Sequence, residues 1–306
     1  MSVMNKTAAA PRKRRSVNLA SALIYLFIGL FAALCLYPFL LVISGSLTTQ
    51  ADAILYGFRL IPHSITTASY QALFVNWRAI VNGYKVTVTV TVVGTILSLM
   101  VNSMMGFVLS RKQLAGRRIL NFYVLFTMLF SGGMVPWYII CVNYLHLKDN
   151  LAALIVPMLC SAWYIFLIRN YFSSVPEEMY ESAKIDGAND FVIFYKIYLR
   201  LATPVLATVT LFTALGYWND WWHGLMLVDK SELQPLQMLL RNIISNIQYL
   251  QTMESSSAQV QQMLASIPSD GVKMALVIIT TGPILLLYPF IQRYFVKGIM
   301  VGAVKG

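Results

Sequence analysis

Acidic side chains are scarce in this sequence. Asp and Glu number 12 against 23 Lys and Arg among 306 residues, and charged residues of both signs make up 11% of a chain that is 58% apolar. A soluble domain of this length needs far more charge to cover its surface. With a mean hydropathy of +0.66, the composition excludes that class and points to a bilayer. Cysteine is nearly absent too. Cys35, Cys141 and Cys160 all sit in apolar runs, so they read as three small buried hydrophobes and not as a disulfide framework. His63, His146 and His223 are scattered without ligand spacing, and neither a Walker phosphate loop nor GxSxG occurs. The reading is therefore of a non-enzyme with no metal, no catalytic residue and no cofactor of its own.

Long charge-free runs are what the chain does have. Ser16–Ala51, Val86–Ser110, Ile119–Leu145, Asn150–Ile168, Leu201–Asn219 and Met274–Gln292 hold no Asp, Glu, Lys or Arg. Each has roughly the 20 residues that a helix needs to cross about 30 Å of hydrocarbon. Backbone polar groups in lipid must be satisfied within the segment, and nothing alternates as barrel strands do. The expectation is an all-α integral membrane protein with six transmembrane helices, near 17–43, 86–110, 119–145, 150–171, 201–222 and 273–293. PRKRRS before the first run resembles a signal sequence, but the run is too long and lacks a cleavage site, so the first helix reads as an uncleaved signal-anchor.

With the N-terminus inside, 16 of the 23 Lys and Arg fall on cytoplasmic segments and seven on external ones. The positive-inside rule then places both termini in the cytoplasm of a multi-pass plasma-membrane protein. Residues 1–15 form a basic cytoplasmic tail, 16–295 the membrane domain, 173–203 a cytoplasmic loop, 223–271 an extracellular loop and 296–306 a cytoplasmic tail. The net charge of +11 is accounted for by anionic membrane lipid, and no nucleic-acid partner is implied.

Between two of the most apolar runs lies ESAKIDGANDFVIFYKIYLRLATP, residues 181–204. Pro176 suits a first helical turn, Ser174 a cap, and Glu177 and Glu178 the positive end of the helix dipole. That helix should stop at Asp186-Gly187, where Gly tolerates positive φ. Asn189 and Asp190 should cap a second helix, FVIFYKIYL, which leads into the fifth span. From composition alone such an elbow reads equally well as an ordinary amphipathic connector.

Glu181-Ser182-Ala183, then Asp186-Gly187-Ala188, then Ile197 and Leu199 resemble the EAA loop of ATP-binding-cassette (ABC) importer permeases. Ser182 stands in place of the middle Ala. Arg200 replaces the Pro that follows Leu in that pattern, so the second helix is expected to run straighter into the next span. WNDWWHGLMLV at 218–228, QRYFVKGIMVGAVKG at 292–306 and GFRLIPHSITTASYQALF at 57–74 are similar to segments of the binding-protein-dependent carbohydrate class. The smaller maltose-importer permease belongs to that class, and PSDGVKMA at 268–275 resembles its complex-oligosaccharide subgroup.

The resemblance implies a type I ABC importer permease fold whose elbow is a coupling helix docked on a cytoplasmic ATPase. Two copies of that ATPase would bind ATP and Mg. A second permease subunit, different from this one, and an external solute-binding protein would complete the importer. Glu181 and Asp186 would grip the ATPase, and small Ala183 and Ala188 would allow close approach. Tyr217, Trp218, Asn219, Asp220 and Trp221 are candidates for the substrate pathway, because sugars favour aromatic faces and Asn or Asp for their hydroxyls. The same residues equally suit an interfacial aromatic belt or helix packing. The solute is read as a sugar or oligosaccharide. A peptide, polyamine or phosphate importer remains an alternative, as does a secondary transporter, for which inverted repeats and intramembrane acids are missing.

Overall fold

The computed structural model describes residues 19–252 and 270–285. Within them the regular structure is helical, joined by turns and loops, with one isolated bridge between Thr48 and Ile65. The first helix, α1 (Leu19–Ser46), is apolar all round. Its side chains from Leu23 to Leu40 stay exposed, and only Ser44, Gly45 and Ser46 at its end are buried. A helix with no polar face, and with no covering neighbour among the described residues, requires lipid or further protein around it. Short helices α2 (Gln50–Tyr56) and α3 (Ala68–Phe74) follow.

The centre of the fold is α4 (Trp77–Ser110). It packs along α8 (Ala162–Ser173) and α12 (Thr203–Trp218). Its buried stripe is small and polar, with Thr87, Gly94, Thr95, Ser98, Asn102 and Ser103. Small residues let helix backbones approach where the hydrophobic effect offers no drive between helices in lipid. At Gly94 an added Cβ would lie 2.6 Å from the Tyr217 ring, so this contact requires glycine.

Among the described residues, only α1 (from Ala20) and α4 are individually long and apolar enough to cross a membrane; three bent helix pairs bring the number to five if each is one span. The expectation of continuous spans is corrected at two of those pairs, and the third is the junction between the cytoplasmic loop and the fifth span. Run 119–145 is split into α5 (Arg117–Leu129) and α6 (Met134–Ile139), the latter extended by a π-helical turn at Ile140–Tyr144. The two pieces meet at 112°, because Ser131-Gly132-Gly133 carries a positive φ of 86° at Gly133. Run 150–171 bends by 51° between α7 (Ala152–Ile155), with its 3-10 turn Val156–Met158, and α8. A charge-free run reports burial in lipid and is silent on such breaks. The expected sixth span begins in α15, helical over 270–285, and 286–293 lie outside the described residues. Both tails and most of 253–271 lie outside them as well.

The break near residue 160 is held by one side chain. Asn102, fully buried, donates through Nδ2 to the Leu159 carbonyl at 2.9 Å, and its Oδ1 accepts the Ser161 N–H at 2.9 Å. Backbone groups freed by a kink must find partners where water is excluded, and Asn102 supplies both. Cysteine placement differs from expectation: Cys141 is buried, whereas Cys35 and Cys160 are exposed on apolar surface.

Candidate functional site

The elbow consists of two short helices. The first, α9 (Glu177–Ile185), follows Pro176. Ser174 is not its cap, because its Oγ donates to the Tyr171 carbonyl and so closes α8. The helix ends where Gly187 takes φ +79°, in open space where an added Cβ would meet no atom within 4 Å. The Ala188 N–H donates back to the Ala183 carbonyl at 2.9 Å, a C-terminal closure that favours glycine at the turn. Asn189 Oδ1 then accepts the Val192 N–H at 2.9 Å and starts α10 (Asp190–Ile193).

From there a π-helical turn, Phe194–Tyr198, leads to α11 (Leu199–Leu201). The chain then bends by 84° into α12. The straighter entry expected from Arg200 is therefore corrected. Pro204 sits in the first turn of α12, where its ring and missing N–H prevent the preceding helix from continuing.

The site residues separate by exposure. Glu181, Ser182, Asp186 and Gly187 are exposed, and Ala188, Ile197 and Leu199 are half-buried. Ala183 is buried in a core with Phe107, Phe172, Ile193, Phe194 and Tyr198. Its small size serves the packing of the elbow onto α4 and α8. Among the described residues neither Glu181 nor Asp186 forms an ion pair. Sequence reasoning missed Ile185, which is 87% exposed. It stands one turn from Glu181 on the same face of α9, beside Asp186, so an apolar and an acidic group project together.

The elbow is moored to α4 by charge and aromatic contacts. Arg111, just past the end of α4, lies 5.1, 4.8 and 4.6 Å from the ring centroids of Phe107, Tyr180 and Tyr198. Lys112 pairs with Glu177 at 2.9 Å. Tyr180 Oη donates to Asp190 Oδ1 at 2.6 Å, and Lys184 pairs with the same carboxylate at 2.9 Å. The bonds from Tyr180 and Lys184 hold the Asp190 carboxyl below the usual carboxylate range.

The second group of candidates lies at the other end of α12. Tyr217 and Trp218 are buried and tie helices together. Tyr217 Oη donates to the Ile155 carbonyl at 3.0 Å, and Trp218 Nε1 to the Thr280 carbonyl at 3.1 Å. Asp220 is nearly buried and meets His223 Nδ1, three residues on, at 2.9 Å. Asn219 is exposed and Trp221 half-buried. They face α14 (Leu236–Thr252), which is reached through α13 (Trp222–Leu227). Asn82 Nδ2 donates to the Glu232 carbonyl at 2.6 Å, and the Leu236 N–H donates to Thr87 Oγ1 at 2.8 Å, fixing this segment to α4. Asp149, at φ +57°, accepts the N–H groups of Asp229 and Lys230 at 2.7 and 2.9 Å.

The chain as a whole is matched in known proteins. Residues 94–301 fit the family described as binding-protein-dependent transport system inner membrane component. The chain belongs to that family. It is 40% identical over 94% of its length to the polygalacturonan/rhamnogalacturonan transport system permease protein YtcP of Bacillus subtilis, 99% of which is covered. It is 26% identical to the arabinooligosaccharides transport system permease protein AraQ of Halalkalibacterium halodurans, covering 96% of this chain and all of that one. A chain from the crystal structure of a bacterial ABC transporter involved in the import of the acidic polysaccharide alginate superposes with a TM-score of 0.77 at 30% identity. That match covers 93% of this chain and 99% of the other. Transport permeases of sugars and oligosaccharides thus surround the chain along almost its full length.

Proposed function

We propose that this chain is one permease subunit of an ATP-driven importer for a sugar or oligosaccharide, embedded in the prokaryotic plasma membrane with both termini cytoplasmic. The sugar permeases among its relatives support the solute class. Six crossings remain the proposed topology, each bent helix pair serving as one span. A second permease subunit lines the other half of the pathway. Two cytoplasmic ATPases bind ATP and Mg, and a solute-binding protein delivers from outside. This chain itself does not catalyse hydrolysis.

One observation carries the coupling role. Glu181 and Ile185 project from α9 away from the core, while the opposite side of the elbow is locked onto α4 through Arg111. An exposed apolar side chain ringed by polar and charged groups has the layout of an interface anchor with its polar rim. The elbow therefore grips the ATPase through Glu181, Ser182, Ile185, Asp186 and Gly187. Ala183, Ala188, Ile197 and Leu199 give it the stiffness to transmit a displacement. At the outer end Asn219 and Trp221 meet the solute, with Tyr217, Trp218 and Asp220 shaping the mouth from behind. Reconstitution of the importer in vesicles with its ATPase and binding protein tests this reading: ATP-dependent uptake of saccharides is expected, and uptake of peptides or polyamines in their place contradicts it.

A further inference from the structure

The helix α14 has two faces. Leu239, Ile243 and Ile247 pack against Leu73, Ile80 and Leu276, and that face is accounted for by the fold. The other face carries Gln237, Arg241, Ser245 and Gln248, which with Trp221 and the apolar Leu240 and Ile244 line an open groove of about 350 Å³. These side chains recur at helical spacing along about 16 Å of helix. Arg241 is exposed, and its guanidinium lies 3.9 Å from the centroid of the Trp221 ring. Gln237 Nε2 donates to Asn219 Oδ1 at 3.4 Å and closes one end of the groove.

Two features of this groove point to charge. The ring face that Arg241 covers is not free to stack on a sugar, so Trp221 acts here as a platform for the guanidinium. Stacking leaves the N–H edge of the guanidinium free, and that edge matches a carboxylate with two parallel hydrogen bonds. The charge is also unanswered among the described residues. Among the described residues no carboxylate lies within 4 Å of Arg241, and the nearby acid, Asp220, is nearly buried and engaged by His223.

We propose that the Arg241–Trp221 shelf is a carboxylate-binding subsite, and that the solute this permease passes is an acidic saccharide bearing uronate groups. This rests on the sugar-importer reading and names its substrate class. Arg241 takes a ring carboxylate, while Gln237, Ser245, Gln248 and Asn219 offer amide and hydroxyl partners for the neighbouring hydroxyls. A neutral sugar leaves the guanidinium without a partner, so the shelf discriminates by charge at the permease, after the binding protein has released its load.

The test uses the complete importer in vesicles, with trigalacturonate and its methyl ester as paired probes and maltotriose as an unrelated neutral one. The wild-type complex is expected to take up the acid in preference to the ester. Arg241→Gln should lower the acid-to-ester uptake ratio about tenfold, the loss typical of one charge-assisted contact, and Arg241→Lys should lower it less. Recovery of the assembled complex separates this effect from misfolding. An unaltered ratio in Arg241→Gln, no preference in the wild type, or uptake of the ester or maltotriose without the acid overturns the subsite while the sugar reading stands. Failure of every saccharide to enter overturns both.

Discussion

The guanidinium of Arg111 lies 4.6 Å from the ring centroid of Tyr198 and 4.8 Å from that of Tyr180. Arg111 follows α4, Tyr180 belongs to α9 and Tyr198 to the segment that leads into α12. One side chain thus joins three elements at the root of the elbow. Phe107 and Phe172 close the box around Tyr198, with ring centroids at 4.9 and 5.5 Å.

Because cation–π contacts of partly desolvated Arg contribute about 0.5–2 kcal/mol, Arg111→Gln should loosen the elbow without unfolding the bundle. The expected phenotype is uncoupling: ATP hydrolysis by the assembled complex continues while solute uptake falls. Arg111→Lys, which keeps the charge but loses the planar stack, should fall between. Parallel measurement of hydrolysis and uptake in vesicles checks this, and normal uptake in Arg111→Gln would show that the box has no part in transmission.

Asn102 offers a test of the bundle itself. Replacement by Ala leaves the Leu159 carbonyl and the Ser161 N–H without their present partner. Each orphaned buried group costs about 1–3 kcal/mol. The thermal midpoint of the purified complex in detergent should drop clearly, and Asn102→Leu, which fills the volume but cannot bond, should drop as well. A midpoint equal to wild type in Asn102→Leu would mean that the kink is satisfied in another way.

Acid should release the outer clasp. The N–H bonds from Lys230 and Asp229 hold the Asp149 carboxyl below the usual carboxylate range. A carboxyl with a depressed folded pKa adds stability that is fully present above its unfolded value and is lost as pH falls through the folded one. Asn accepts the same positive φ, so Asp149→Asn isolates the charge. The stability difference between wild type and Asp149→Asn should be constant from about pH 5 to 8 and should shrink below about pH 4. A difference that persists undiminished at pH 3 contradicts the assignment.

Much of this architecture could be read from the sequence, though unevenly. The charge-free runs located the apolar helices α1, α4, α5 with α6, α7 with α8, and α12, and Asp186-Gly187 and Asn189 marked the turn and the second cap, because local backbone chemistry decides both. The breaks within the runs were not legible. They depend on partners distant in sequence, such as Asn102 for the kink at 160, and on turns such as Ser131-Gly132-Gly133 that composition counts as apolar. For Tyr217 and Trp218 the sequence left sugar contact and helix packing both open, because an aromatic residue at a helix end has the same signature in either role; their bonds to Ile155 and Thr280 are packing contacts. Ile185 escaped notice for the opposite reason. An isoleucine in an amphipathic helix reads as core until its exposure is known.

The central claim is that α9 presents its outer face to an ATPase, and the most direct measurement is co-purification. Glu181 and Ile185 are both exposed on α9, so the double change Glu181→Lys and Ile185→Glu leaves the folded elbow undisturbed. It removes a charge-assisted bond of about 1.5–3 kcal/mol and buries a new charge against the partner. The altered subunit should still insert and recover its partner permease, while the ATPase is lost from the complex and ATP-driven uptake disappears. Full recovery of the ATPase together with normal uptake would contradict the claim and leave the elbow as a connector between two membrane segments.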